Sequence, residues 1–381
     1  MRIALVLDDS IDRTDGVQQY VLTLGAYLSR EGHEVHYLSS SAERTDVTVH
    51  SLARNVGVTF NGNGLRVPLP ASRAGIRAVL ERERYDVIHV QTPHSPLFAA
   101  RVVDEARRLF GDAVRIVGTF HILPDGKVSS WGTHLLGRVL RRNLRRFDAF
   151  CAVSEPAREF AASAFGISAR VIPCPVDVAG FAASAAAAER VPGADGRLVV
   201  AFLGRLVERK GVLELVHALD ALPVEVQDRI DVRIGGKGPL LGALEAAIEV
   251  SALARVSLPG FVAEQDKAAF YADADIAVFP ATGGESFGIV LVEAMASQAG
   301  RGSGMVLAGA NPGYLSVIGD DARVSVDARD AEGFAAALRR LIEDADLRAE
   351  LHAEQASRVA RFDVETVGAQ VLELYGPSAS R

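Results

Sequence analysis

Cysteine is scarce in this chain: Cys151 and Cys174 are the two it has. With no secretion signal ahead of them, free thiols in a reducing cytosol are expected rather than a disulfide. Long apolar runs are missing as well. No stretch approaches the ~18 uninterrupted apolar residues of a membrane helix, which argues against a spanning segment. Met1-Arg2-Ile3-Ala4-Leu5-Val6-Leu7-Asp8-Asp9 is too short and too soon acidic for a signal peptide, and reads as a first β-strand. A G-x-G-x-x-G fingerprint is absent after that strand, which disfavours an NAD-dependent oxidoreductase. Positive charge is not in excess. The formal charge of −7 argues against bulk nucleic-acid binding while leaving room for a local basic patch.

What remains is an ordinary globular composition, 49% hydrophobic and 23% charged over 381 residues, enough for two domains. Continuous apolar strands alternate with helical patterns from residue 2 to about 172, then again from 198 onward. That alternation predicts two parallel sheets, each with helices on both faces. The expected domains are 1–178 and 197–361. An Ala/Ser-rich linker is expected at 179–196, and a C-terminal helix and tail at 362–381. Residues 39–71 read as irregular, with short β-like pieces and the loop Phe60-Asn61-Gly62-Asn63-Gly64.

The stretch around which the chemistry gathers is Gly283-Gly284-Glu285-Ser286-Phe287-Gly288, running into a helix that carries Glu293. It follows the buried strand Ile276–Phe279. Ligands of open α/β sheets bind at such strand ends, and a helix N-terminus adds backbone N–H groups. A carboxylate beside a phosphate site is unhelpful unless it binds hydroxyls, and sugars supply these. Glu293 taken alone equally fits a surface helix. Gly204-Arg205 with Arg209-Lys210-Gly211 ends the first strand of the second domain. Two cations there fit a pyrophosphate and can offset leaving-group charge. Gly235-Gly236-Lys237-Gly238 is either a tight turn or a second phosphate contact through Lys237. Gly16 opens the first helix, where a ligand can approach the backbone closely, although a simple turn would read the same.

His121 ends a buried strand of the first domain, placed to exchange a proton near neutral pH or to bind a sugar hydroxyl. His89 and His94 flank another strand end. No Cys or carboxylate at ligand spacing joins these histidines, so no metal site is expected. Asp8-Asp9 fits Mg²⁺ or a helix-preceding turn. Two basic helical patterns stand out, one with Arg138, Arg141, Arg142, Arg145 and Arg146, the other with Arg73, Arg77, Arg82 and Arg84. Either is a solvated face or a contact with anionic lipid.

Together these residues resemble the GT-B glycosyltransferases of the family-4 type. The carriers are the Glu285-to-Glu293 pair, the Gly204/Arg205 and Arg209-Lys210-Gly211 group, and Gly16-Val17-Gln18. Within that group the chain is similar to bacterial phosphatidyl-myo-inositol mannosyltransferases, through residues 283–296, Asn61-Gly62, Thr119-Phe120-His121 and Ala152-Val153-Ser154. The resemblance covers Met1 to about Tyr375.

The resemblance implies a GT-B fold: two Rossmann-like domains facing a cleft, with the C-terminal helix crossing back to the first. It implies metal-independent, retaining transfer of a sugar, expected to be mannose from GDP-mannose, to a phosphatidylinositol-like lipid. Arg205 and Lys210 would hold the diphosphate. Glu285, with Ser286, Phe287 and Gly288 beside it, would bind the sugar, and Glu293 the ribose. Phe261 and Val262 would border the base, Lys237 would reach a phosphate, and His121 would touch the donor sugar. Gly16 would let the donor phosphate or the acceptor sit close. Gln18, Asn61, Asn63 and Arg66 would lie on the acceptor side, and the Arg73–Arg84 helix would meet the inner membrane face of a cytoplasmic enzyme. The chain departs from the pattern at Ile11–Asp15, at Cys174-Pro175 and at 297–304, expected as an insertion. A UDP-sugar with a soluble acceptor, or a non-catalytic nucleotide-sugar-binding protein, are the competing readings.

Overall fold

The computed structural model describes residues 1–12, 15–40, 42–53, 55–60, 63–68, 71–121 and 142–376, without the side chains of 55–60 and 63–68. Of the site residues expected from the sequence, Asn61 lies outside the described residues, and Asn63 and Arg66 are described as backbone alone. Of the 138–146 arginines, Arg138 and Arg141 also lie outside them.

The chain forms two units, one of Met1–Pro175 with Val364–Arg381, the other of Val176–Asp363. In the first unit the elements are β1 (Arg2–Val6), α1 (Gly16–Arg30), β2 (Glu34–Ser39), β3 (Val49–Ser51), β4 (Asn55–Phe60), β5 (Asn63–Pro68), α2 (Arg73–Glu83), β6 (Val87–Gln91), α3 (Phe98–Phe110), β7 (Arg115–Phe120), β8 (Ala149–Ala152), α4 (Glu155–Phe165) and β9 (Arg170–Val171). Seven strands pair in parallel in the order β3-β2-β1-β6-β7-β8-β9. The central strands read as unbroken apolar runs because helices cover both faces: Ile3, Ala4, Leu5 and Val6 are wholly buried. The stretch 39–71 is more ordered than its composition suggests. β4 and β5 form an antiparallel hairpin, Val56 opposite Val67.

The second unit contains α5 (Val178–Ala187), β10 (Leu198–Leu203), α6 (Val212–Asp220), β11 (Ile230–Gly235), α7 (Leu241–Val250), β12 (Val256–Gly260), α8 (Lys267–Ala272), β13 (Ile276–Phe279), α9 (Ile289–Arg301), β14 (Met305–Gly309), α10 (Pro312–Ile318), β15 (Ser325–Val326), α11 (Ala331–Glu343) and α12 (Ala345–Val359). Its six parallel strands run β12-β11-β10-β13-β14-β15. α13 (Val364–Tyr375) belongs to the first unit and packs on α1 and β7. Tyr375 there bonds His89 through its hydroxyl, 2.8 Å from Nδ1.

Two segments differ from the sequence reading. The stretch expected as a linker is helical from Val178, capped by Asp177, which accepts from the Gly180 amide at 2.9 Å. Ala-rich sequence reads as a linker but is also the strongest helix former. The stretch expected as an insertion at 297–304 is largely the end of α9, which closes with a left-handed Gly302. Ser297 and Gln298 are buried, and the Gln298 amide donates to the carbonyls of Ala274 and Met305. The helix starts at Ile289 because Gly288, before it, sits at φ 135°.

Candidate functional site

In each sheet the strand order reverses direction once, between β1 and β6 in the first unit and between β10 and β13 in the second. That switch point is where an open α/β sheet leaves a crevice at its carboxyl edge. In the second unit the loops flanking it are Gly204–Gly211, after β10, and Pro280–Gly288, after β13. The first carries Arg205, Arg209 and Lys210, and the second carries Glu285.

The two loops are held together by backbone. The Thr282 amide donates to the Arg209 carbonyl at 2.9 Å. Gly211 has φ 71°, and a Cβ on it would collide with the Pro280 carbonyl oxygen, so only glycine lets the loops approach this closely. The consequence is electrostatic. Lys210 Nζ lies 2.9 Å from Glu285 Oε1, and Arg209 donates to the same oxygen. Burial pushes the Lys210 ammonium below its ordinary range, and the Glu285 carboxylate opposes that shift. Arg205 is exposed on the same loop. In the sequence Arg209 is part of a motif with no expected role of its own. The structure makes it the second cation on Glu285.

Glu293 is buried on α9, with Lys267 Nζ of α8 at 3.4 Å from Oε1 and 3.5 Å from Oε2. Lys267 escaped the sequence reading because Glu264, three residues before it, makes it look like an ordinary surface pair; that contact exists too, at 2.8 Å. Phe287 does not face outward: it is buried edge-to-face on Phe362, ring centroids 5.6 Å apart. What residues 286–288 offer a ligand is therefore backbone and Ser286. After β12, Phe261 is 58% exposed, an unusual surplus for a Phe, with Lys237 Nζ 5.3 Å from its ring centroid. Lys237 thus joins Phe261, and Val262 is half-buried beside it.

In the first unit, His121 leaves the end of β7 buried, its Nε2 2.6 Å from Gln91 Oε1 and its ring 4.7 Å edge-to-face from Tyr20. With Gln91 Oε1 accepting, the ring proton sits on Nε2 and Nδ1 keeps its lone pair. Burial, and then the nearby rings of His89 and His94, push its pKa down to about 3. The expectation of proton exchange near neutral pH is corrected accordingly: His121 is a neutral hydrogen-bonding group there. Nor do the three histidines converge on a metal. His89 is engaged at both nitrogens, Nε2 with Thr119 Oγ1 at 2.5 Å, and His94 stacks on Phe120 and Phe165. Thr92, next to this strand end, holds φ 56°, a costly conformation for a β-branched residue and one the sequence did not signal.

Gly16 opens α1 as expected. Gln18 is buried and donates to the Ser10 carbonyl at 3.1 Å, which fixes the loop after β1. Asp8 accepts from the Ala99 amide at 2.8 Å and Asp9 from the Ser10 amide at 2.7 Å, so these acids serve turns and the start of α3. On α2, Arg73 and Arg77 both turn to the buried Glu105, at 2.6 and 2.9 Å, and Arg82 to Glu83 at 2.7 Å. Arg84 ends the helix with φ 49°.

Residues 14–179 match the family described as Glycosyltransferase Family 4, and residues 186–358 match Glycosyl transferases group 1. The chain is 34% identical to the phosphatidyl-myo-inositol mannosyltransferase of Mycolicibacterium smegmatis, over 98% of this chain and 93% of that one. Among solved structures, a glycosyltransferase from Rickettsia africae superposes with TM-score 0.75 at 17% identity, covering 98% of this chain and 97% of that one. HepE of Anabaena, solved in complex with UDP, superposes with TM-score 0.74 at 20% identity, covering 98% and 99%. The fold shared with these structures is GT-B.

Proposed function

The chain belongs to glycosyltransferase family 4, and from that premise we propose that it transfers mannose, with retention, from GDP-mannose to a phosphatidylinositol-like lipid at a membrane surface. The observation that carries the reading is the shared contact of Lys210 and Arg209 on Glu285. The bond broken in sugar transfer joins a hydroxyl-rich ring to a phosphate. The group that binds hydroxyls and the group that binds phosphate must therefore stand side by side, and here they are 2.9 Å apart. As the bond breaks, charge grows on the leaving diphosphate, and Lys210, Arg205 and Arg209 are the cations to meet it. Glu285 then holds sugar hydroxyls and Glu293, steadied by Lys267, the ribose. Phe261 and Val262 border the base, with Lys237 above the ring. His121 acts as a neutral hydrogen-bond partner of the sugar, and Gln18 fixes the loop that leads to Gly16. No metal ion has a role in the transfer.

Mannose and the inositol lipid are supported by the name of the Mycolicibacterium relative. A UDP-sugar is the competing donor, drawn from the UDP complex of HepE. Calorimetric titration of the protein with GDP and with UDP separates them. Tighter binding of GDP is expected, and a clear preference for UDP would overturn the donor assignment. Retained turnover in the presence of EDTA checks the metal-free mechanism.

A further inference from the structure

Among the described residues, His36, His50 and Glu83 gather ligand atoms within 4.8 Å of one another, on the far edge of the first unit's sheet from β7. The sheet explains the convergence. Leu38 pairs with His50 across β2 and β3, and His36 is two residues before Leu38, so both imidazoles emerge on one face. The last residue of α2, Glu83, comes down on that face.

The spacing fits a small tetrahedral ion. With metal–nitrogen bonds of about 2.0–2.1 Å, the edge of a coordination tetrahedron is about 3.4 Å. His50 Nε2 is 3.3 Å from His36 Nδ1, and Glu83 oxygens are 3.8 Å from each ring. All three side chains are largely enclosed, the most exposed being His50 at 15%. The outer contact of His36 sets the right tautomer there. His36 Nε2 faces Glu34 Oε1 at 3.2 Å, so that nitrogen carries the proton. Its Nδ1 lone pair, which Tyr85 OH approaches at 3.0 Å, points into the cluster. A carboxylate on the remote nitrogen of a ligating His is the usual outer arrangement of zinc-type sites.

We propose that His36, His50 and Glu83 bind a divalent transition-metal ion of the zinc class, with water completing the tetrahedron. The ion would clamp the edge strand β3 to β2 and to the end of α2, apart from any step of sugar transfer. Two cations oppose it. Arg2 stands 3.7 Å from Glu83, and Arg82 lies 2.7 Å from Glu83 and 3.5 Å from His50 Nδ1. Arg82 is 60% exposed, so swinging it into water costs little.

The test is calorimetric titration of the full-length, chelator-stripped protein with Zn²⁺, alongside thermal unfolding and Co²⁺ absorption spectra. Binding of one Zn²⁺ per chain, a raised Tm and tetrahedral Co²⁺ bands in the visible are expected, with no such effect of Mg²⁺. His50→Ala and Glu83→Gln should each weaken Zn²⁺ binding at least tenfold, and Glu34→Gln by about tenfold or more, as outer-contact losses do. Arg82→Ala, which removes the competing cation, should tighten binding, a gain that no folding defect produces. His217→Ala on α6 should bind as the parent does. Zn²⁺ affinity unchanged in both His50→Ala and Glu83→Gln, absence of stoichiometric binding, or an equal response to Mg²⁺ would each overturn the proposal.

Discussion

Asp8 and Lys210 show how burial sets the chemistry of single side chains. Burial raises the Asp8 carboxyl to about 6, against an ordinary value near 3.8. The folded state therefore holds this proton more tightly than the unfolded chain, and Asp8 costs stability as pH rises from about 4 through 6. Asp8→Asn, which keeps an oxygen for the Ala99 amide, should raise Tm more at pH 7 than at pH 4; an equal shift at both would contradict the assignment. For Lys210 the partner matters as much as the burial. Lys210→Ala removes a leaving-group cation and leaves Glu285 with Arg209 alone, so turnover should fall by 10²-fold or more, on the order of an oxyanion-hole donor. His121→Ala should cut transfer while GDP affinity stays close to the parent, and the pH–rate profile should show no inflection from His121 between 5 and 8. Their places at strand ends made Glu285, Lys210 and His121 stand out as candidates. Lys267 and the buried state of Phe287 were not legible, because they follow from α8 packing beside α9 and from Phe362 covering Phe287, not from any local pattern.

At the scale of elements, continuous apolar runs located the central strands of both sheets because those strands are buried on two faces, whereas the short edge strands β3 and β15 carry no such run. Sequence patterns failed where composition and structure part company. Alanine and serine at 178–187 make a helix once it has α9 to lie against. The polar and small residues after Met295 extend α9 because Gln298 finds carbonyl partners inside the fold. The stretch expected as an insertion is thus largely the packed end of α9. The α5–α9 contact is close: a Cβ on Gly300 would collide with the Ala182 carbonyl oxygen. Gly300→Val should destabilise by about 1–3 kcal/mol, as overpacking does, read as a lower urea midpoint at unchanged slope. An unchanged midpoint would show the packing to be looser than described.

Over the whole molecule, the alternation of strands and helices was enough to anticipate two doubly wound sheets, while the return of α13 to the first unit was implied by the family resemblance. Among the described residues no helix is long and apolar enough to cross a membrane. The proposed membrane contact rests on the arginines of α2, and their pairing tempers it. Each surface cation is worth roughly 1 kcal/mol of attraction to anionic lipid, but Arg73 and Arg77 already share Glu105. Neutralising Arg73, Arg77, Arg82 and Arg84 together should weaken binding to anionic liposomes, most at low salt, and by less than four independent charges would. Liposome binding that does not change would remove α2 from the membrane surface.

The most direct test is a donor panel in which the purified protein is offered GDP-mannose and UDP-sugars with phosphatidylinositol vesicles, and the lipid product is measured. Mannose transfer from GDP-mannose, lost in Glu285→Ala, is the result predicted here. Transfer from a UDP-sugar alone, or mannose transfer that survives Glu285→Ala, would contradict it.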